Sequence, residues 1–148
     1  QIMKKIYVDA DACPVKDEIV KVATRHKIQV FMVCNGGIRP FRNNLINLII
    51  VSEGSDEADK WIFEKIKSDD IVVTSDIPLA SKCIDKGAFV LKHDGLILNG
   101  MNIGNVLATR DLMSDLRSSD PFLQGKSNNF TRADKGKFLN SLEILIIN

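Results

Sequence analysis

Ile71-Val72-Val73-Thr74-Ser75-Asp76-Ile77-Pro78-Leu79-Ala80, residues 71–80, is the stretch on which the fold turns. A short β-branched run ends in Thr-Ser-Asp, and a proline follows where a first helical turn accepts one. The predicted helix carries Leu79, Ala80, Cys83 and Ile84 inward and stops at Gly87. The same order occurs near the start of the chain. Ile6-Tyr7-Val8 runs into Asp9, Pro14 follows, and Val15, Ile19, Val22 and Ala23 recur at helical spacing.

Further apolar runs lie at Val30 to Val33, Leu48 to Val51 and Ala88 to Leu91. Asn35-Gly36-Gly37 and Ser52-Glu53-Gly54 break the first two. A helix is predicted from Ser55 or Asp56, with Ala58, Trp61, Ile62 and Ile66 on one face. Asp94-Gly95, between two apolar runs, predicts a hairpin. One or two helices are expected over Ile103 to Leu116, and a polar loop over Ser118 to Asn129. Thr131 with Asp134 resembles a capping box for a last helix, whose apolar face is Phe138, Leu139, Leu142, Leu145 and Ile146. Short apolar strands alternating with helices predict an α/β fold. The expected architecture is a three-layer α/β/α sandwich, with a mostly parallel central sheet of about five strands.

The chain has 148 residues, 45% hydrophobic and 26% charged, which suits one soluble domain and excludes whole-chain disorder. No apolar run approaches the ~20 residues of a membrane span. A net charge of +1 does not by itself imply a polyanionic partner. Cys13, Cys34 and Cys83 are odd in number and lack CxxC spacing, which argues against a disulfide framework or a cysteine zinc site and for a reducing cytoplasm. Met3 reads as the natural start, with Gln1 and Ile2 as added residues.

Ligands of open parallel sheets bind beyond the carboxyl ends of the strands. Asp9 and Asp11 follow the first predicted strand, Asn35 the second, Asp56 and Asp59 the third, and Thr74, Ser75 and Asp76 the fourth. Carboxylates gathered there raise one another's pKa unless a cation is present. Hard oxygen donors without His or Cys suit Mg²⁺ or Mn²⁺, which polarises a phosphoryl oxygen and acidifies water. Asp9, Asp59 and Asp76 are the expected catalytic ligands, with Asp11 and Asp56 as supporting ligands. Plainer roles compete: Asp11, Asp56 and Asp76 as helix caps, and Thr74 and Ser75 as partners of backbone groups. His26 and His93 read as isolated and exposed, and Cys13 and Cys83 as packing residues.

Arg39 and Arg42 flank Pro40-Phe41, and Lys126, Arg132, Lys135 and Lys137 surround Phe130, with Asp134 opposing. Cations beside an aromatic suit single-stranded nucleic acid. A solvated loop with one anchoring aromatic is the alternative. Arg110 and Arg117 share a helical face, as backbone contacts or as partners of Asp111 or Asp115. Expected substrate contacts are Asn35, Arg39, Arg42, Thr74, Ser75, Arg110 and Arg132.

Asp9-Ala10-Asp11-Ala12-Cys13-Pro14, Thr74-Ser75-Asp76-Ile77-Pro78-Leu79-Ala80, Lys86-Gly87-Ala88, and Thr109-Arg110-Asp111-Leu112-Met113 through Leu116-Arg117 resemble the YaiI/YqxD family of uncharacterised bacterial proteins. That family is similar to PIN-domain nucleases, which cut RNA with Mg²⁺ or Mn²⁺ held by acids at strand ends. The resemblance implies that Asp9, Asp59 (or Asp56) and Asp76 match the PIN acids. Pro78 stands where many PIN nucleases carry a further Asp, which implies a leaner site. The expected function is metal-dependent hydrolysis of a phosphodiester, with single-stranded RNA as partner. Two rivals are a non-catalytic nucleic-acid- or protein-binding module and a haloacid-dehalogenase-type phosphatase, with Asp9 as nucleophile and Asp11 as general acid. The chain is short for the latter, and no Asp-Asp pair follows a later strand.

Overall fold

The structure, a computed structural model, describes residues 4–11, 13–54, 57–105 and 131–147. Among these, the strands are β1 (Ile6–Asp9), β2 (Val30–Cys34), β3 (Ile46–Ile50), β4 (Ile71–Val73), β5 (Phe89–Leu91) and β6 (Ile97–Leu98). The helices are α1 (Lys16–His26), α2 (Glu57–Lys65), α3 (Ile77–Asp85) and α4 (Arg132–Ile147). Beyond residue 105, the helix expected up to Leu116 lies outside the described residues, as does the loop expected over Ser118 to Asn129.

The strands form one sheet in the order β3-β2-β1-β4-β5-β6. Among the described strands, only the β5–β6 pair is antiparallel. The Asp94-Gly95 turn closes that pair, as predicted, and β6 makes the described sheet six strands wide rather than about five.

Alternation along the strands sorts the core into two layers. Ile6, Val8, Val30, Met32, Ile71 and Val73 pack with Ile19, Val22 and Ala23 of α1 and with Phe138, Leu142 and Leu145 of α4. Tyr7, Val33, Val72 and Val90 pack on the opposite face with Ala58 and Ile62 of α2 and with Ile77, Leu79, Ala80 and Cys83 of α3. The result is the expected helix–sheet–helix sandwich.

Local chemistry fixes the helix ends. Asp76 caps α3, its Oδ1 accepting the Leu79 N–H at 3.0 Å. Thr131 and Asp134 close a reciprocal capping box at α4: the Thr131 N–H donates to Asp134 Oδ2 at 3.0 Å and the Asp134 N–H to Thr131 Oγ1 at 3.1 Å. Pro14 stands just ahead of α1, whose N-cap is Val15, so it leads into the helix rather than lying in its first turn.

Two features depart from simple alternation of strand and helix. The parallel β2–β3 crossover contains no helix; residues 35–45 cross the α1 face as irregular chain, with Ile38, Phe41 and Leu45 packed on the core. Asn43 ties this segment down, donating to Thr24 Oγ1 at 2.7 Å and accepting the Leu45 N–H at 2.9 Å. At the sheet's edge, β3 is half-exposed rather than covered on both faces.

Candidate metal and phosphate site

The chain runs from β1 outward to β2 and β3, then returns past β1 to β4 and β5. The sheet therefore reverses direction between β1 and β4, and a crevice opens beyond their carboxyl ends. Asp9 ends β1, and Thr74-Ser75-Asp76 follow β4.

Thr74, one of the expected substrate contacts, is fully buried. Its Oγ1 donates to Asp9 Oδ2 at 3.3 Å and accepts the Asp76 N–H at 3.0 Å. One hydroxyl thus fixes both acids. Asp11 Oδ2 accepts the Asn35 N–H at 3.1 Å, and Asn35 Nδ2 donates to the Ser52 carbonyl at 2.8 Å. The expected substrate contact Asn35 instead has its amide engaged in joining the ends of β2 and β3. Ser75 is exposed beside them.

Burial raises the Asp9 pKa above the ordinary carboxylate value, the Thr74 bond lowers it, and the charges of Asp11 and Asp76 raise it further. Among the described residues no lysine or arginine forms an ion pair with Asp9, Asp11 or Asp76. Each of the three gives one carboxylate oxygen to a protein donor, and the other meets no donor among the described residues.

Asp59 lies in the first turn of α2, in a cleft of about 310 Å³ between α2 and α3. Asp76, Lys60, Phe63, Pro78, Leu79 and Lys82 line it too. Asp76 therefore belongs to both the crevice and the cleft, whereas the acids whose charges act on Asp9 are Asp11 and Asp76. Among the described residues no group of three or more His, Cys, Asp or Glu side chains is gathered to hold a metal ion. Magnesium, which keeps most of its waters, asks for only one or two protein carboxylates. The donor set at β1 and β4 fits such an ion: hard oxygens, surplus negative charge and preset orientation. Asp56 and Arg110 lie outside the described residues.

Both histidines differ from expectation. His26 is half-buried, its Nε2 2.9 Å from Glu143 of α4, which also pairs with Arg25. His93 is half-buried too, its Nδ1 3.1 Å from Ser75 Oγ. Desolvation lowers the His93 pKa, with Asp94 opposing and Lys92 and Lys16 reinforcing. His93 follows β5, the next strand after β4, so strand-end placement was the sequence signal that could have drawn it into the site. Cys13 and Cys83 are buried packing residues with thiols pushed up to about 11.

The expected nucleic-acid contacts are more scattered. Arg39 and Arg42 are exposed on the β2–β3 crossover, and Phe41 between them packs on the core as an anchor. Arg132 is exposed in the first turn of α4.

Fold and crevice together define an open, doubly wound α/β domain with acids at its switch point. The chain belongs to the YaiI/YqxD family: the model of that family, described as an uncharacterised BCR family, matches residues 7–148. A UPF0178 protein of Roseobacter denitrificans is 55% identical over 141 residues, covering 95% of this chain and 93% of the relative. A UPF0178 protein of Ruegeria pomeroyi is 49% identical over 142 residues (95% and 92%). One from Gluconacetobacter diazotrophicus is 46% identical over 145 residues (98% and 94%). No solved structure matches the chain. Among the described residues no helix is long and apolar enough to cross a membrane.

Proposed function

We propose that the chain is a PIN-like, Mg²⁺- or Mn²⁺-dependent phosphodiesterase acting on single-stranded RNA. The observation that carries this reading is the setting of Asp9. Its carboxylate is half-buried at the switch point, pressed by Asp11 and Asp76, and has no cationic side chain paired with it among the described residues. A carboxyl that is both desolvated and crowded by like charge is a common mark of a functional site. Asp9 and Asp76 would hold the ion, with Asp11 beside them and Asp59 reaching in from the cleft side of Asp76. A bound divalent ion supplies Lewis acidity toward a phosphoryl oxygen and makes water a better nucleophile. Thr74 ties the Asp9 carboxylate to the Asp76 backbone N–H, and Asp11 or Asp59 can accept a proton from the attacking water. Arg39, Arg42, Arg110 and Arg132 would meet the RNA backbone.

The test is cleavage of an unstructured oligoribonucleotide. The account predicts cleavage with Mn²⁺, none in chelator, return on adding Mn²⁺, and loss in Asp9→Asn. RNA bound but left intact by the Mn²⁺-loaded protein favours the binding-module alternative.

A further inference from the structure

Next to the acids, three segments carry groups of another character. Lys16 opens α1, and its ammonium donates to the Ala10 carbonyl at 3.4 Å. That bond holds the charge over the loop joining Asp9 to Asp11. Ser75 stands exposed at the end of β4, and His93 follows β5 with its Nδ1 3.1 Å from the Ser75 hydroxyl. The field of Lys16 reaches both His93 and Cys13, and Cys13 also feels Asp9. The parallel register that pairs Val8 with Val73 carries Ala10 alongside Ser75, so Lys16 is held on the segment that adjoins the Ser75–His93 pair.

The imidazole has a preferred way round. His93 Nε2 is enclosed and meets no hydrogen-bond partner among the described residues. A buried N–H without an acceptor is rarer and costlier than a bare lone pair. The proton therefore belongs on Nδ1, which donates to Ser75 Oγ. The Ser75 hydroxyl is then left to donate outward, on the segment adjoining the one that holds Lys16. An exposed hydroxyl donor and an ammonium on adjoining segments recognise an anion, and phosphoryl oxygens accept from both.

We propose that Lys16 and Ser75 form a phosphate-binding place on the rim of the crevice, with His93 as the positioning residue that turns the Ser75 hydroxyl toward the phosphate. This deepens the hydrolase reading, and rests on it for the claim that the bound group is the substrate's phosphate. Anion binding itself needs no metal, so the two can be tested apart.

The test uses inorganic phosphate in the presence of chelator, with sodium chloride matched for ionic strength. Imidazole nitrogen NMR of the folded protein, which holds only two histidines, reads the tautomer and the response together. The inference predicts an Nδ1–H tautomer at His93 and a saturable shift of His93, with His26 unmoved. Phosphate line broadening should show binding weakened about tenfold or more in Lys16→Gln and in Ser75→Ala, as for loss of a charge-assisted or direct hydrogen bond. His93→Asn, whose amide N–H can stand in for Nδ1–H, should retain phosphate binding, and His93→Phe should lose it. A merely structural histidine would not produce that split. An Nε2–H tautomer, an unshifted His93, or full phosphate affinity in Lys16→Gln and Ser75→Ala overturns the inference. Mn²⁺ binding that depends on Asp9, without phosphate binding, leaves the hydrolase reading standing and removes this one. Phosphate binding without Mn²⁺ binding does the reverse.

Discussion

Asp9 and Asp70 show what a carboxylate's surroundings decide. Asp70 is buried at the opposite, amino end of the parallel strands, where its two oxygens accept the N–H groups of Lys5 at 3.2 Å and Lys67 at 3.1 Å. It is satisfied by donors and closes the chain before β4. Asp9 has Thr74 as its donor, and its pKa is raised by burial first and by the charges of Asp11 and Asp76 after it. A raised carboxyl pKa means that the folded state binds a proton more tightly than the unfolded chain. Folding stability is then lost as pH rises from the ordinary value of 3.8 through the raised one. Asp9→Asn keeps an acceptor for Thr74 and removes the repulsion. It should raise the melting temperature of the metal-free protein at pH 7, and the gain should vanish below pH ~3.8. Melting curves across that range decide it; a variant less stable than the parent at pH 7 contradicts the repulsion argument. Asp9, Asp11 and Asp76 were legible as site candidates because a charge directly after an apolar strand has few structural uses. The burial of Thr74 and the hydrogen bond of His93 to Ser75 were not, although the place of His93 after an apolar strand was. Both depend on which strands are neighbours, and no local pattern encodes that.

At the scale of elements, the helices were legible from periodicity and caps, and the capping box at α4 formed with both of its bonds. The helix-free β2–β3 crossover was less so, because its order comes from Asn43 and from three apolar anchors set at no regular spacing. The docking of α4 depends on a contact that only the tertiary structure discloses. Gly95, at φ +92°, lies against Lys137 so closely that an added Cβ would meet that residue's carbonyl carbon at 2.6 Å and its Cβ at 2.8 Å. Ser141 Oγ donates to the Gly95 carbonyl at 2.6 Å in the same contact. Gly95→Ala should therefore destabilise the protein by about 1–3 kcal/mol or more, through backbone strain together with overpacking. Denaturant unfolding measures this, and a loss under ~0.5 kcal/mol, the ordinary surface range, would contradict the packing. Removing the buried Phe138 ring from the same helix, as Phe138→Ala, should cost about 3–5 kcal/mol. Near-wild-type stability in that variant would mean that α4 is not part of the core.

For the whole molecule, strand order matters more than any single motif. An order of 3-2-1-4-5-6 places β1 and β4 side by side, so two strand-then-acid segments 67 residues apart, at Asp9 and Asp76, open onto one crevice. The sandwich and its parallel sheet followed from the alternation of strand and helix signals; the split between an acid crevice and an α2–α3 cleft required coordinates. The most direct test is calorimetric titration of the folded, metal-free protein with Mn²⁺, alongside Asp9→Asn and Asp76→Asn. The account predicts saturable binding by the parent and affinity reduced about tenfold or more in each variant, as expected when a charged ligand is lost. Equal affinity in all three, or no binding by the folded parent, would contradict a metal-holding role for these acids.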